Sequence, residues 1–325
     1  MSKPYILVVR QLGGIGDVLM MSCVYKGLRE KYPKHTIKLV TSGVFLSGAL
    51  IDVAEHNSYI DEIHVIEPQD STPKHTKEVW HQYFGGAPSM EDDLIWQKAA
   101  LAIDLNTPCV DYEWHVTPIV KPRWQLWCEA AGVVPSSYAP IYKITKDEAK
   151  AADEYAKTHW AGKQVVGLGL TANDKKRALG IGKLQTICED LTARGLHVVT
   201  IDPTCSVPGY DYLVGKRIRD LIPLISKMNA CISVDSGILH MAGAVQTPVI
   251  GIFGSTDCRM RMGNYIGSAI DSRRFAECAP CWYDYPCNRI PGNGHKPFEC
   301  FSKIDTHLIV EETVRWVNKT SQQSH

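Results

Sequence analysis

The chain has 325 residues, room for about two domains of ~150 residues, and a hydrophobic content of 45%, that of a globular protein with a full core. Lys+Arg 35 balances Asp+Glu 35, so the basic excess of a duplex-binding surface is missing and nucleic acid is disfavoured as a partner. No run of ~18 apolar residues could cross a membrane, and the apolar stretch from Tyr5 to Val9 is too short for the core of a signal peptide, so the cytoplasm is the expected location.

Tyr5 to Arg10 is a continuous β-rich run of the kind buried on both faces of a parallel sheet. Gly13-Gly14-Ile15-Gly16-Asp17 follows, then a helical stretch to about Lys31 and a second strand from Ile37 to Thr41. The glycine loop is not a dinucleotide fingerprint. Gly14-x-Gly16 is followed by Leu19 where the third glycine should stand, and the second strand ends in Thr41-Ser42 without an acid for the ribose. The loop instead projects Asp17 from a helix N-terminus, where the helix dipole favours the ionised carboxylate by ~0.3–1 kcal/mol. Such a carboxylate suits a general base toward a hydroxyl. It equally suits a helix cap worth about 1 kcal/mol.

A third strand is predicted from Ile60 to Ile66. The stretch 68–97, with Pro68, Pro73, Gly85-Gly86 and Pro88, reads as a loop-rich insertion. Strand character resumes from Ala99 to Leu105, and Pro118 to Gly132 reads as a helix with Trp124, Trp127 and Cys128 on one face. Lys146 to Thr158 is a charged amphipathic helix suited to bridging two halves. The second half has strands at Val165–Leu170, His197–Ile201, Cys231–Val234 and Val249–Phe253. Its helices are expected over Lys183–Arg194, ending at the C-cap Gly195, over Arg219–Met228, and over about Val310–Asn318. Strands alternating with helices imply parallel sheets. The expected architecture is α/β: domains 1–150 and 151–325, facing one another across a central cleft.

The segment from Ile232 to Asp257 carries the most information. It reads as a buried strand, an Asp235-Ser236-Gly237 turn, a short helix bearing His240, and a second buried strand ending in Gly254-Ser255-Thr256-Asp257. Strands joined this way place the turn at the carboxyl edge of a sheet, where α/β proteins bind ligands. Ser236 and Gly237 offer a hydroxyl and unobstructed N–H groups at a helix N-terminus, a setting suited to a diphosphate; an ordinary helix cap would use the same residues. Thr171 and the cations Lys175, Lys176 and Arg177 follow the first strand of the same half, on the same edge, and could neutralise a diphosphate or form a solvated basic loop.

Of eleven cysteines, four cluster as Cys278-Ala-Pro-Cys281, Cys287 and Cys300. In a cytosolic protein this spacing suggests a metal before a disulfide, although its second half is irregular.

Four segments in order resemble the ADP-heptose:lipopolysaccharide heptosyltransferase family of inverting GT-B glycosyltransferases: 14–33 beginning Gly-Ile-Gly-Asp-Val-Leu, 171–199, 235–257, and the cysteine region before the terminal helix. Only 68–97 has no match. The resemblance implies two Rossmann-like domains, an acceptor-side one with the insertion and a C-terminal one for the nucleotide sugar. It implies transfer of a heptose-like sugar from a nucleotide diphosphate to an acceptor hydroxyl, with Asp17 as base. Gly16, Thr171, Lys175, Lys176, Asp235, Ser236, Gly237 and His240 are then the donor-binding residues, with Asp235 either reaching donor-sugar hydroxyls or fixing the turn and His240 either contacting ligand or packing the helix onto the sheet; no cofactor is required for catalysis. The family also implies a glycan acceptor and peripheral contact with the inner membrane surface; a protein or nucleobase acceptor, or a binding module without catalysis, are the alternatives. Some relatives bind iron through comparable cysteines, so Cys278, Cys281, Cys287 and Cys300 are candidate ligands for zinc or iron in a structural role, with a metal-free cluster as the alternative. The sequence departs from the pattern where Ser236 replaces the commoner Thr and Ala178-Leu179-Gly180 replaces a Trp-Pro pair.

Overall fold

The computed structural model describes residues 4–10, 13–43, 48–65, 98–116, 118–172, 177–201, 207–213, 215–282 and 299–323. The chain divides into two units: residues 1–119 with 123–138, and 120–122 with 139–325.

Unit 1 runs β1 (Tyr5–Val9), α1 (Ile15–Lys31), β2 (Thr36–Thr41), α2 (Ala49–Ala54), β3 (Glu62–Val65), β4 (Leu101–Asp104), α3 (Pro108–His115) and α4 (Arg123–Ala130). Its sheet is parallel in the order β3-β2-β1-β4. The chain therefore builds outward from β1 on one side, then returns to add β4 on the other. This reversal makes β1 and β4 a topological switch point, where the connections that follow them diverge and leave room for a ligand. Ile6, Leu7 and Val8 are buried because β1 is covered on both faces, each such side chain contributing about 1.5–3 kcal/mol. Trp124, Trp127 and Cys128 lie on the buried face of α4, as their spacing predicts. The predicted helix over 118–132 is shorter, and α3, which opens on Pro108 in the first turn, was not foreseen. The stretch 68–97 lies outside the described residues.

Unit 2 runs α5 (Lys146–His159), β5 (Val165–Gly169), α6 (Ile181–Ala193), β6 (His197–Thr200), β7 (Asp211–Tyr212), α7 (Ile218–Ile225), β8 (Ala230–Val234), α8 (Gly237–Ala244), β9 (Val249–Phe253), α9 (Arg259–Met262), β10 (Gly267–Asp271), α10 (Glu299–Ser302) and α11 (Thr306–Gln323). A six-stranded parallel sheet has the order β10-β9-β8-β5-β6-β7. Its switch point falls between β5 and β8, whose following loops are 171–177 and 235–237. The helix read from sequence as a bridge is α5, and it belongs to unit 2. Gly195 ends α6 in the left-handed region at φ 81°, as expected of a C-cap. Gly169 closes β5 where a Cβ would stand 2.4 Å from Cδ1 of Ile238, so its missing side chain lets α8 settle onto the strand end.

Candidate functional site

In unit 1 the loop after β1 is shaped around Asp17. Gly14 is the N-cap of α1 and Asp17 occupies the third helical position, where its Oδ2 accepts the Gly14 N–H at 3.0 Å. The carboxylate thus performs part of a capping box, the bland role the sequence allowed. It does more than that. Arg123 on α4 donates through Nη1 to Oδ1 at 2.5 Å, and Nη2 of Arg10 lies 3.6 Å from Oδ2. Arg10 is fixed in turn, because its Nη1 donates to the carbonyls of Leu105 and Asn106 just past β4, at 2.6 and 3.2 Å. One guanidinium therefore spans the β1/β4 switch point. Burial alone would raise the Asp17 pKa; Arg123, Arg10 and the Gly14 N–H outweigh it and hold the carboxyl well below the usual range. The side chain keeps 15% exposure, so it is ionised, oriented and still reachable. Gly16 is buried in the first turn of α1.

In unit 2 the turn after β8 centres on Asp235, which is buried at 4% exposure. Thr256 donates its hydroxyl to Oδ2 at 2.8 Å. Nη1 of Arg177 and Nε of Arg261 stand 3.8 and 3.6 Å from the same oxygen. His240 lies between two groups, its Nε2 3.8 Å from Oδ1 of Asp235 and its Nδ1 2.6 Å from the Tyr265 hydroxyl. Burial pushes the Asp235 pKa up, but His240, Arg261 and Arg177 hold it far below the ordinary carboxylate range. Ser236 is the N-cap residue of α8, yet its side chain does not cap the helix; its hydroxyl lies 3.2 Å from that of Ser233. The Asp235 carboxylate is engaged by Thr256, Arg177, Arg261 and His240 rather than by the start of α8.

Asp235, Ser236, Gly237 and His240 thus come together, with Thr171 following β5 on the same edge of the sheet. Lys175 and Lys176 lie outside the described residues. The cation that reaches the Asp235 turn is their neighbour Arg177, whose Nη1 also donates to the Asp235 carbonyl at 2.9 Å. Sequence reasoning did not single out Arg10, Glu113, Arg123, Thr256, Arg261 or Tyr265. A positive residue 106 positions from Asp17 carries no local signal.

Cys278 is exposed, Cys281 half-buried and Cys300 buried, while Cys287 lies outside the described residues. Among the described residues no group of three or more His, Cys, Asp or Glu side chains could hold a metal. No described helix is long and apolar enough to cross a membrane.

The family model described as "Glycosyltransferase family 9 (heptosyltransferase)" matches residues 96–283, more than half of the chain. The chain belongs to glycosyltransferase family 9. It is a glycosyltransferase with heptosyltransferase-like activity. No curated protein sequence matches it. Among solved structures, a family 9 glycosyl transferase from Veillonella parvula is similar at TM-score 0.69 and 14% identity, covering 98% of this chain and 99% of its own. The Escherichia coli ADP-heptose lps heptosyltransferase II gives a TM-score of 0.62 and 14% identity, with 98% and 99% covered. TibC from enterotoxigenic E. coli, described as an iron-containing dodecameric glycosyltransferase, gives 0.63 and 16%, covering 100% of this chain and 78% of TibC. At such identities the likeness is one of fold, and it agrees with two parallel α/β units of the GT-B class.

Proposed function

We propose that this family 9 enzyme moves a heptose-like sugar from a nucleotide diphosphate to an acceptor hydroxyl with inversion, unit 2 holding the donor and Asp17 acting as general base. The observation that carries the reading is the state of Asp17: ionised, oriented by two arginines and partly exposed at a switch point. A carboxylate so paired is a weak base toward a resting alcohol. It takes the proton late, as the bond to the anomeric carbon forms and the hydroxyl becomes acidic, so orientation matters more than basicity. In-line attack on the face opposite the leaving group inverts the anomeric centre.

At the donor end, the leaving diphosphate needs positive charge and N–H donors as its charge develops. The first turn of α8 and the Thr171–Arg177 loop offer both, with Arg177 tied to the turn and Lys175 and Lys176 alongside it in sequence. The Asp235 carboxylate, with His240, shapes the turn and can accept from donor-sugar hydroxyls. An ADP-sugar is favoured because heptosyltransferase structures of this fold include complexes with ADP-D-beta-D-heptose and ADP. A glycan hydroxyl is the acceptor this reading favours. TibC's iron is a property of that protein, and no step here runs through a metal.

The test is release of ADP from ADP-heptose with water as the surrogate acceptor hydroxyl, and ADP binding followed separately by calorimetry. Asp17→Asn should lower turnover by about 10²-fold or more while leaving ADP affinity unchanged. An Asp17→Asn protein that turns over at the wild-type rate would remove the base from the reading.

A further inference from the structure

Asp17 is held by a line of charges that ends in a buried acid. Glu113 on α3 has a side chain only 1% exposed. Its carboxylate accepts from Nε of Arg123 at 2.8 Å and from Nη2 at 2.6 Å. This two-point grip uses one edge of the planar guanidinium and turns the remaining nitrogen, Nη1, onto Asp17 Oδ1. Asp17 Oδ2 meets Arg10 and the Gly14 N–H on the other side. Each oxygen of Asp17 is thus met from a different element.

A buried carboxylate is costly unless paired, and a buried ion pair by itself seldom adds net stability over apolar packing. A purely structural tie between α3 and α4 would be complete with Glu113 and Arg123. The third contact, to a carboxylate that is partly exposed, extends the pair to the place where a substrate hydroxyl would sit. We propose that Arg123 and Glu113 are positioning residues: Glu113 locks the guanidinium, and Arg123 sets the direction in which Asp17 presents its carboxylate to the acceptor hydroxyl. This inference rests on the reading of Asp17 given above.

The groups around Asp17 set what a pH profile will report. Arg10 faces it from the end of β1 and Arg123 from α4. From α3 come Glu113, which reaches it through Arg123, and Cys109, whose thiol burial pushes up to about 12 and so keeps neutral. The two arginines and the Gly14 N–H hold the carboxyl down, Arg123 most strongly, so loss of the Arg123 charge should let it rise.

The test uses the full chain with Arg123→Gln, Arg123→Lys and Glu113→Gln, each checked for ADP binding by calorimetry, and measures ADP release from ADP-heptose across pH. Arg123→Gln should lower kcat about 10²-fold, leave the donor KM within about two-fold, and move the acid limb of kcat upward by about one pH unit or more. Arg123→Lys keeps the charge but not the fork, so the limb should stay while kcat falls about tenfold. Glu113→Gln should lower kcat about tenfold without moving the limb upward. Wild-type kcat and an unmoved limb in both Arg123→Gln and Glu113→Gln, with ADP binding intact, would overturn the inference. If Arg123→Gln loses ADP binding through misfolding, Arg123→Lys decides by its kcat alone. Asp17→Asn separates the two failures. An active Asp17→Asn protein ends the base reading itself, whereas an inactive one beside fully active Arg123 and Glu113 variants ends only the positioning role.

Discussion

Arg177 and Asp235 are joined twice across the switch point of the second sheet. Nη1 of Arg177 donates to the Asp235 carbonyl at 2.9 Å and lies 3.8 Å from its carboxylate. Arg177 follows β5 and Asp235 follows β8, and those strands are hydrogen-bonded neighbours. The contact therefore ties Arg177 to the turn that opens α8.

The consequence is measurable as donor affinity. The Arg177 side chain is 33% exposed, so its charge is available at the surface while one nitrogen holds the turn. Arg177→Met should weaken ADP binding about tenfold, the loss of one charge-assisted contact, in a protein that stays folded at the assay temperature though with a lower thermal midpoint, because buried Asp235 loses one counter-charge. Calorimetric titration of ADP reads this directly. A dissociation constant within two-fold of the wild type would separate the loop from anion binding.

A second prediction concerns Gly13, which adopts φ 111°. A Cβ there would stand 2.1 Å from Nη2 of Arg10 and 3.0 Å from Oδ2 of Asp17. The backbone strain of about 1–2 kcal/mol is compounded by displacement of the two groups that define the site. Gly13→Ala should cost about tenfold or more in ADP release from ADP-heptose while ADP binding persists. Gly182→Ala is the contrast: nothing lies within 4 Å, its φ is not positive, and it is exposed in α6. It should raise stability by about 0.5 kcal/mol and leave activity alone. Equal activity loss in both would show that the Gly13 effect is not local.

What the sequence made legible was what local pattern controls. The run Tyr5-Ile-Leu-Val-Val and the pair of buried strands around Asp235-Ser236-Gly237 announce a parallel sheet, because strands covered on both faces need uninterrupted apolar residues. The position of Asp17 at the start of a helix and of Asp235 at a strand end could be read for the same reason. The partners of those acids could not. Arg10 and Arg123 meet Asp17, and Glu113 meets Arg123, because β4, α3 and α4 return beside β1, and nothing in the spacing of 10, 17, 113 and 123 encodes that return. Strand β10 was missed because Gly267-Ser268-Ala269 lacks bulky apolar residues, and it is held by register against β9 rather than by its own propensity. The cysteine cluster stayed open because one of its four members, Cys287, lies outside the described residues.

Unit 2 contains a second ion pair whose role is stability. Arg219, 3% exposed, donates to Glu148 through Nε at 2.6 Å and Nη2 at 2.7 Å, and its guanidinium sits 4.8 Å from the Tyr142 ring centroid. Glu148 also accepts the Thr145 N–H at 2.8 Å as part of the α5 capping box. The pair joins the start of α5 to α7. Glu148→Gln leaves a buried guanidinium without its counter-charge and should cost about 2–3 kcal/mol. Urea unfolding monitored by tryptophan fluorescence would show it as a lower midpoint, and a loss under about 0.5 kcal/mol would mean the guanidinium re-pairs in the variant.

Acid should unfold unit 2 through Asp235. In the unfolded chain an aspartate titrates near ~3.9, whereas in the fold, although burial opposes it, His240, Arg261 and Arg177 hold Asp235 far lower. A depressed folded pKa binds fewer protons than the unfolded chain does, so its stabilisation is present in full above the unfolded value. It is lost as pH falls from there toward the folded value. Within that window this one carboxyl should remove about 1.4 kcal/mol per pH unit. Asp235→Asn should be less stable at pH 7, because Arg177 and Arg261 lose their counter-charge, yet its stability should fall less steeply below pH ~4. The two curves should therefore converge as acid is added. Unfolding midpoints of both proteins between pH 7 and 3 provide the check, and parallel curves over that range would assign acid sensitivity to other carboxylates.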